Sequence, residues 1–382
     1  MGISTLLLAA GMVILLQMLL FRKRALKKIA YSREFNRTHC HAGEEVELIE
    51  TLTNRKLVPL PWLRVESMIP AGLVFRRQAN LDMSSGQLYQ NHRSLFSLMA
   101  YTRIVRTHRV HCEARGFYHL NSVTLSAGDL LGIPAGVKVL STSAVLLVYP
   151  RLVELSGVEM ESSSYQGEVS VRRWLIDDPF LVSGVREYRY GDAFNRVNWK
   201  ATARSGRLQV HERDHTADPH LVLLVNLEVG EHMWGAVTDP TMVERGLSLA
   251  ASLAADAIHK GMTVGFQSNG WLIDGEKEAV RIEADGGAEQ LTRLFEAMAK
   301  LVIEVSAPMD VLLEEEVLAS RSGIDYVLFS SHRSPKLENG IQQLIANGNS
   351  VSWIRLDPTP LEERGEDTHE PQESQESHEA WG

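Results

Sequence analysis

The chain has 382 residues, 44% of them hydrophobic and 23% charged, a balance that excludes a wholly disordered or fibrous polypeptide and leaves room for two domains. Its formal net charge of -9 is concentrated at the end, where eight acidic residues and one arginine follow Leu361. The remainder is nearly neutral and shows no broad basic face, so nucleic acid is excluded as a partner class.

Residues Ile3 to Phe21 carry no formal charge, and Gln17 is their one strongly polar side chain. Nineteen helical residues reach about 28 Å, close to the thickness of bilayer hydrocarbon. Arg22, Lys23, Arg24, Lys27 and Lys28 follow at once, and no basic residue precedes the run. Residues 1–28 are therefore expected to be a transmembrane anchor with a basic flank, its N-terminus outside and the body cytoplasmic. A cleaved signal peptide fits less well, because the basic n-region and the small-residue cleavage site are missing.

Residues 32–150 read as an all-β, sandwich-like domain. Glu45–Asn54 alternates polar and apolar residues, as do Leu63–Met68 and Thr102–Cys112, with turn signals such as Pro70-Ala71-Gly72 and Ser84-Ser85-Gly86 between them. The two cysteines lie among histidines, as His39-Cys40-His41 and as His108, His111 and Cys112. A strand throws successive side chains to opposite faces, so neighbours in such a run cannot share one metal ion. The spacing matches no familiar zinc module, and no metal is expected.

Residues 151–219 form a linking segment rich in arginine and aromatic residues. Its core, Gly184 to Asp214, has no simple amphipathic period. A helix is expected over Ala193–Arg204, followed by a strand over Arg207–Glu212. Two readings stand. Arg186, Arg189, Arg196, Lys200 and Arg204 can hold a carboxylate or phosphate on a partner. Alternatively, Glu187, Asp192 and Glu212 pair with those arginines in an internal network that fixes an irregular loop.

From His220 to residue 357 strands and helices alternate, which predicts a doubly wound α/β domain. Leu221–Leu227 is a continuous apolar run suited to a central parallel strand. Asp239-Pro240 opens a helix that Gly261 closes. Met262–Ser268 and Gly270–Asp274 resemble a hairpin. A second helix is expected at Ala288–Leu301, then a strand at Asp325–Ser330, a helix at Lys336–Ala346 and a strand at Ser350–Leu356. The carboxylates Glu314, Glu315 and Glu316 are expected on a solvated helix. The acidic stretch 358–382 has too little apolar surface to fold alone.

The linking segment closely resembles the signature of the domain of unknown function 58 family. The matching residues are Arg186-Glu187-Tyr188, Gly191-Asp192, Arg196, Asn198-Trp199-Lys200 and Thr202-Ala203-Arg204. Further matches are Arg115-Gly116-Phe117-Tyr118, Gly128-Asp129-Leu130-Leu131-Gly132-Ile133 and Val148-Tyr149-Pro150. Asp129-Leu130 replaces the family's usual Asp-Pro. The resemblance implies a von Willebrand factor A-like second domain and association with a MoxR-type AAA+ ATPase and a transglutaminase-like membrane protein. That fold often carries a metal motif, D-x-S-x-S, after its first strand. Here the stretch is Asn226-Leu227-Glu228-Val229-Gly230, without the Asp or either Ser, so no ion and no cofactor are expected.

There is no G-x-S-x-G, Walker loop or H-E-x-x-H in the chain. The expected function is that of a membrane-anchored, non-catalytic adaptor. Its contact surface is expected to involve Arg186, Glu187, Tyr188, Gly191, Asp192, Arg196, Asn198, Trp199, Lys200 and Arg204. The alternative is a small-anion sensor or enzyme that uses the same arginine-rich segment.

Overall fold

The computed structural model describes residues 2, 8–9, 11–12, 25–75, 81–85, 89–128, 134–155, 161–164, 184–188, 198–212, 220–230, 235–237 and 239–357. Most of the apolar run Ile3–Phe21 and all of the tail 358–382 lie outside the described residues. Among those described, no helix is long and apolar enough to cross a membrane.

From Ile29 to Tyr149 the elements among the described residues are all strands. In chain order they are β1 (Ile29–Phe35), β2 (His39–His41), β3 (Glu45–Asn54), β4 (Leu60–Pro70), β5 (Leu73–Phe75), β6 (Leu81–Ser85), β7 (Tyr89–Leu98), β8 (Arg103–Cys112), β9 (Gly116–Gly128) and β10 (Pro134–Tyr149). One sheet has the order β1-β3-β8-β5 and the other β2-β10-β9-β4-β7-β6. Apolar side chains from the two sheets meet in two clusters. Val46, Leu48, Leu73, Val110, Leu120 and Val148 belong to one. Leu52, Leu60, Leu63, Val65, Leu98 and Leu125 belong to the other.

The inward faces of these sheets also carry buried polar side chains. The inward residues of β3 are Val46, Leu48, Glu50, Leu52 and Asn54, so its alternation hides a carboxylate among apolar neighbours. On β7 the inward residues begin Gln90, His92 and Ser94, while Leu95 faces out. Glu50 accepts a hydrogen bond from the Tyr31 hydroxyl at 2.7 Å and lies 2.9 Å from His108 Nε2. Arg33 sits opposite it on β1, and Arg106 on β8. Arg33 donates to the Ser122 carbonyl at 2.9 Å. The His92 and His108 rings meet edge to face.

Burial pushes the Glu50 carboxyl up, but the hydrogen bonds from His108 and Tyr31 outweigh it and leave the group below its ordinary range. Burial holds His92 down to about 4, against a raising influence from Glu50 and lowering ones from His108, Arg33 and Arg106.

The second half begins with β11 (Glu161–Ser164), β12 (Gly184–Glu187), α1 (Trp199–Ser205), β13 (Gln209–Glu212), β14 (His220–Val225) and β15 (Gly235–Ala236). Then come α2 (Pro240–His259), β16 (Thr263–Ser268), β17 (Trp271–Leu272), β18 (Val280–Asp285), α3 (Gly287–Lys300), β19 (Leu301–Val302) and β20 (Glu304–Val305). The last elements are α4 (Met309–Leu318), β21 (Ile324–Ser330), α5 (Pro335–Ala346) and β22 (Ser350–Arg355).

The main sheet runs β11-β22-β21-β14-β16-β18. Its four inner strands are mutually parallel, and the two edge strands are antiparallel. Both faces are covered, which is why the central strand β14 is a continuous apolar run after His220. Leu223, Val225, Phe266 and Phe329 pack against α2 and α3. Val222, Leu224, Tyr326 and Leu328 pack against α4 and α5.

Several local expectations are sharpened or corrected. α2 starts on an Asp239 side-chain cap with proline in its first turn, and Gly261 follows its end at φ +85°. The strand β16 forms its hairpin with β18, not with the stretch after Gly270, because β17 leaves the sheet to pair with β19. The helix expected from Ala193 is described only from Trp199, where Asn198 caps it. Glu316 is not solvated. It is 5% exposed and accepts from Gln267 at 2.8 Å and from the Tyr326 hydroxyl at 2.9 Å.

The buried polar layer of the sandwich predicts acid lability. An unfolded His92 takes up a proton below about pH 6.5, whereas the folded one stays neutral down to about 4. The unfolded state therefore binds more protons in that window, and stability falls as pH drops through it. Glu50 acts in the same sense below its unfolded value. Thermal unfolding followed from pH 7 to pH 4 should show a loss of up to about 3 kcal/mol from His92. His92→Leu should flatten this slope, and an equally steep slope in that variant would refute the assignment.

Candidate functional site

The signature segment forms a small unit of its own. β12 and β13 pair antiparallel, with Arg186 opposite Val210 and Glu187 opposite Gln209. Asn198 does two jobs. Its side chain accepts from Ala201 N at 3.0 Å and caps α1, and its backbone N–H donates to the Gln209 carbonyl at 2.8 Å. The Thr202 hydroxyl accepts from Gln209 N at 2.9 Å, and Gly206 ends the helix at φ +69°. Tyr188 N donates to the Leu208 carbonyl at 2.9 Å.

These bonds dock α1 on β13, yet the helix buries none of its residues. Trp199 is 65% exposed, and Lys200 and Arg204 are exposed beside it. Of the expected contact residues, Gly191, Asp192 and Arg196 lie outside the described residues, as does Arg189. For Arg186 and Glu187 the strand register is defined and nothing finer.

The carboxyl ends of the parallel strands are where ligands bind in open α/β sheets. In this chain they are occupied by a closed, uncharged network. Asn226 Nδ2 donates to Ser330 Oγ at 3.0 Å, and Asn269 Nδ2 donates to Asn226 Oδ1 at 3.0 Å. Asn269 Oδ1 accepts from Leu227 N at 2.8 Å. The Ser268 hydroxyl donates to the Val225 carbonyl at 2.9 Å, and that of Ser330 to the His332 carbonyl at 2.9 Å. All four side chains are buried, and their polar atoms serve one another and the backbone. Glu228 lies two residues beyond Asn226 in the chain, its backbone N–H donating to Asn226 Oδ1 at 3.0 Å. It accepts from Met309 N at 3.2 Å, and burial raises its pKa. A divalent cation wants several free oxygen ligands, and no group of three or more His, Cys, Asp or Glu among the described residues is arranged to hold a metal.

A third feature joins the two halves, and it grows from the Arg115-Gly116-Phe117-Tyr118 motif. Arg115 Nη1 donates to the carbonyls of Met298 at 2.6 Å and Leu301 at 3.0 Å. These belong to the C-terminal end of α3, where carbonyls lack helical partners and the helix dipole favours a cation. Arg115 Nε lies 2.7 Å from Glu244 Oε2 on α2. Burial pushes the Glu244 carboxyl up, and Arg115 opposes that shift.

Phe117 packs on the core of the second half. The Tyr118 hydroxyl turns back to the Ala114 carbonyl at 2.7 Å, and a Cβ at Gly72 would collide with it. Beside this seam the rings of His41, Tyr149 and Phe295 meet. They border an open cleft of about 800 Å³ between β2 and α3. The sequence marked Arg115 as a motif residue, but nothing in it pointed to partners more than 180 positions away.

The molecule is thus a β-sandwich clamped by a buried arginine to a helix-covered, largely parallel sheet, with an exposed aromatic helix between them in sequence. Residues 184–328 match the profile of the family described as "Protein of unknown function DUF58". It is 24% identical over 255 residues to the uncharacterized protein YeaD of Bacillus subtilis (strain 168), a match that covers 64% of this chain and 57% of that protein. The chain therefore spans a little over half the length of that relative.

Among solved structures it is similar to a non-cellulosomal cohesin from Archaeoglobus fulgidus, at 9% identity and a TM-score of 0.23, over 31% of this chain and 90% of that one. It is also similar to the major pilin SpaD of Corynebacterium diphtheriae, at 10% identity and a TM-score of 0.24, over 35% of this chain and 41% of that one. These scores are too low to carry an argument about fold or role.

Arg115→Ala should uncouple the halves. It strips α3 of its C-terminal cation and leaves Glu244 half-buried and unpaired, at a cost of roughly 2 kcal/mol. Calorimetry should show the unfolding transition split in two. Arg115→Lys should rescue only in part, because one ammonium cannot match the planar fork. A single unshifted transition in Arg115→Ala would show that the clamp does not couple the halves.

Proposed function

We propose that this protein is a membrane-tethered, non-catalytic adaptor that works with a MoxR-type AAA+ ATPase in the assembly or maturation of a partner complex, beside a transglutaminase-like membrane protein. The observation that carries this reading is the contrast between two surfaces. The strand ends, where such a sheet would do chemistry, are filled by the Asn226, Ser268, Asn269 and Ser330 network. The family signature instead builds a helix that presents Trp199, Lys200 and Arg204 to solvent. An exposed tryptophan flanked by cations is the composition of a protein-binding hot spot. In this reading the second half is a von Willebrand factor A-like module that has lost its ion. The named partners come from the family resemblance.

The tether has its own support. One end of the sandwich is hydrogen-bonded to the backbone of residues 25–28, which follow the apolar run in sequence. Arg55 N donates to the Lys28 carbonyl at 3.0 Å, and Lys56 Nζ donates to the Ala25 carbonyl. The loops at this end expose Leu57, Met99 and Tyr101, each by two thirds or more, with Lys27, Lys28 and Arg55 beside them. Lys28 and Tyr101 both hold positive φ, a strained conformation that surrounding structure must impose. Apolar tips ringed by cations suit the interface of an anionic membrane, and the body then lies on the cytoplasmic side.

The full chain, solubilised in detergent, should capture a MoxR-type ATPase from the organism's own membranes. Trp199→Ala should cut that capture at least tenfold without moving the unfolding midpoint. Undiminished capture by the folded variant would remove α1 from the contact. In sealed spheroplasts the body should resist added protease, and digestion from outside would overturn the orientation.

A further inference from the structure

Cys40 and Cys112 are the chain's two cysteines, and they come from opposite layers of the sandwich. Cys40 is the middle residue of β2, paired with Val148 of the six-stranded sheet. Cys112 ends β8 in the four-stranded sheet, opposite Leu73. Their sulfurs are 3.4 Å apart, in contact but not bonded. Exposure is 3% for Cys40 and nil for Cys112.

The two thiols differ in access. Cys40 lies in the wall of the open cleft between β2 and α3, together with Arg37, His39, His41, Tyr149 and Phe295. Cys112 is enclosed by Val46, Leu73 and Val148 and does not line that cleft. A thiol pair of this kind, one at a surface opening and one behind it, is the arrangement of an attacking and a resolving cysteine. The chemistry agrees with the geometry. Contact with Cys112 holds the Cys40 thiol below its ordinary range, and the same contact, with burial, pushes Cys112 up. The thiolate form is the nucleophile.

We propose that Cys40 and Cys112 are a redox pair, in which Cys40 takes a small-molecule disulfide entering by the cleft and Cys112 resolves it into a bond across the two sheets. In the first step the Cys40 thiolate attacks one sulfur of the small disulfide. A mixed disulfide forms, and the other half leaves as a thiol carrying the proton from Cys40. In the second step the Cys112 sulfur attacks Cys40 Sγ, the mixed disulfide breaks, and the second small thiol leaves with the proton from Cys112. Two cysteine thiols lose two electrons, and one small disulfide becomes two thiols.

The bond would pin β2 at the point where it meets the second half. His39 stacks on Tyr149, and His41 packs edge-on against Tyr149 and Phe295 of α3. Oxidation would therefore stiffen the seam that Arg115 also holds, placing the coupling of the two halves under redox control. This does not rest on the adaptor reading or on the side of the membrane the body occupies.

The test uses the reduced full chain in detergent, incubated with glutathione at increasing ratios of the oxidised to the reduced form. Both thiols should disappear together, with an intact mass lower by two hydrogen atoms, a higher unfolding midpoint, and full reversal by dithiothreitol. Cys112→Ser should stop at one glutathione adduct on Cys40, and Cys40→Ser should stay unmodified. If Cys112→Ser does not fold, early alkylation of the wild-type protein should trap the same adduct on Cys40. A stable adduct on the wild type, or two free thiols at the most oxidising ratio, would overturn the proposal.

Discussion

The two halves of this molecule meet at a seam built around one buried cation. Arg115 leaves the sandwich and spends its guanidinium on the last carbonyls of α3 and on Glu244 of α2. Each of those groups needs it. A helix end buried without partners would leave carbonyls unsatisfied, and a desolvated carboxylate without a counter-ion is costly. The arginine in turn could not be buried without them. The rest of the motif follows from this exchange. Phe117 supplies the apolar contact beside the charge, and Tyr118 fixes the turn that aims Arg115 by bonding back to Ala114 over the small Gly72. The motif is thus a clamp between domains, and its cost is shared between them.

A second constraint lies inside the sandwich. Two apolar clusters alone would suffice to hold two sheets together. The inward polar set of Tyr31, Arg33, Glu50, His92 and His108 adds little net stability, since buried ion pairs seldom exceed their desolvation cost. What it adds is register. Sliding β3 by one residue would turn Glu50 outward and bring Ile49 or Thr51 inward, and its bonds to Tyr31 and His108 would be lost. Sheets built only from interchangeable aliphatic residues lack that penalty.

Legibility in the sequence followed the range of the interactions. Features set by neighbours in the chain could be read. The alternation of Glu45–Asn54 became β3, and the Asp239-Pro240 start and Gly261 stop bounded α2. Features set by distant partners could not. Glu316 looks like one of three solvated carboxylates until Gln267 and Tyr326, from two different strands, are seen to enclose it. The Gly270–Asp274 stretch has the look of a returning hairpin strand, but β18 takes that place. The two cysteines stand 72 positions apart in the chain, and only the stacking of one sheet on the other brings their sulfurs together. In the signature segment the residue types alone could not separate a docking face from an internal ion network. The geometry assigns Asn198 and Thr202 to the backbone and leaves Trp199 outside.

This division of labour bears on what the strand ends can do. A cation site there would need carboxylates held apart by their mutual repulsion and brought together by the ion. Asn226 and Asn269 have the same shape as aspartates but carry donors as well as acceptors, so they bond to each other without an ion. The amides convert a site that would be strained when empty into one that is stable when closed. These bonds tie the ends of β14, β16 and β21 together in one layer. The second half is joined to the sandwich along a seam made by other residues. The seam is held by Arg115 on one side and bordered by the His41, Tyr149 and Phe295 rings on the other. The arginine clamp is the stiffest contact of the seam, because its bonds are charged, multiple and buried.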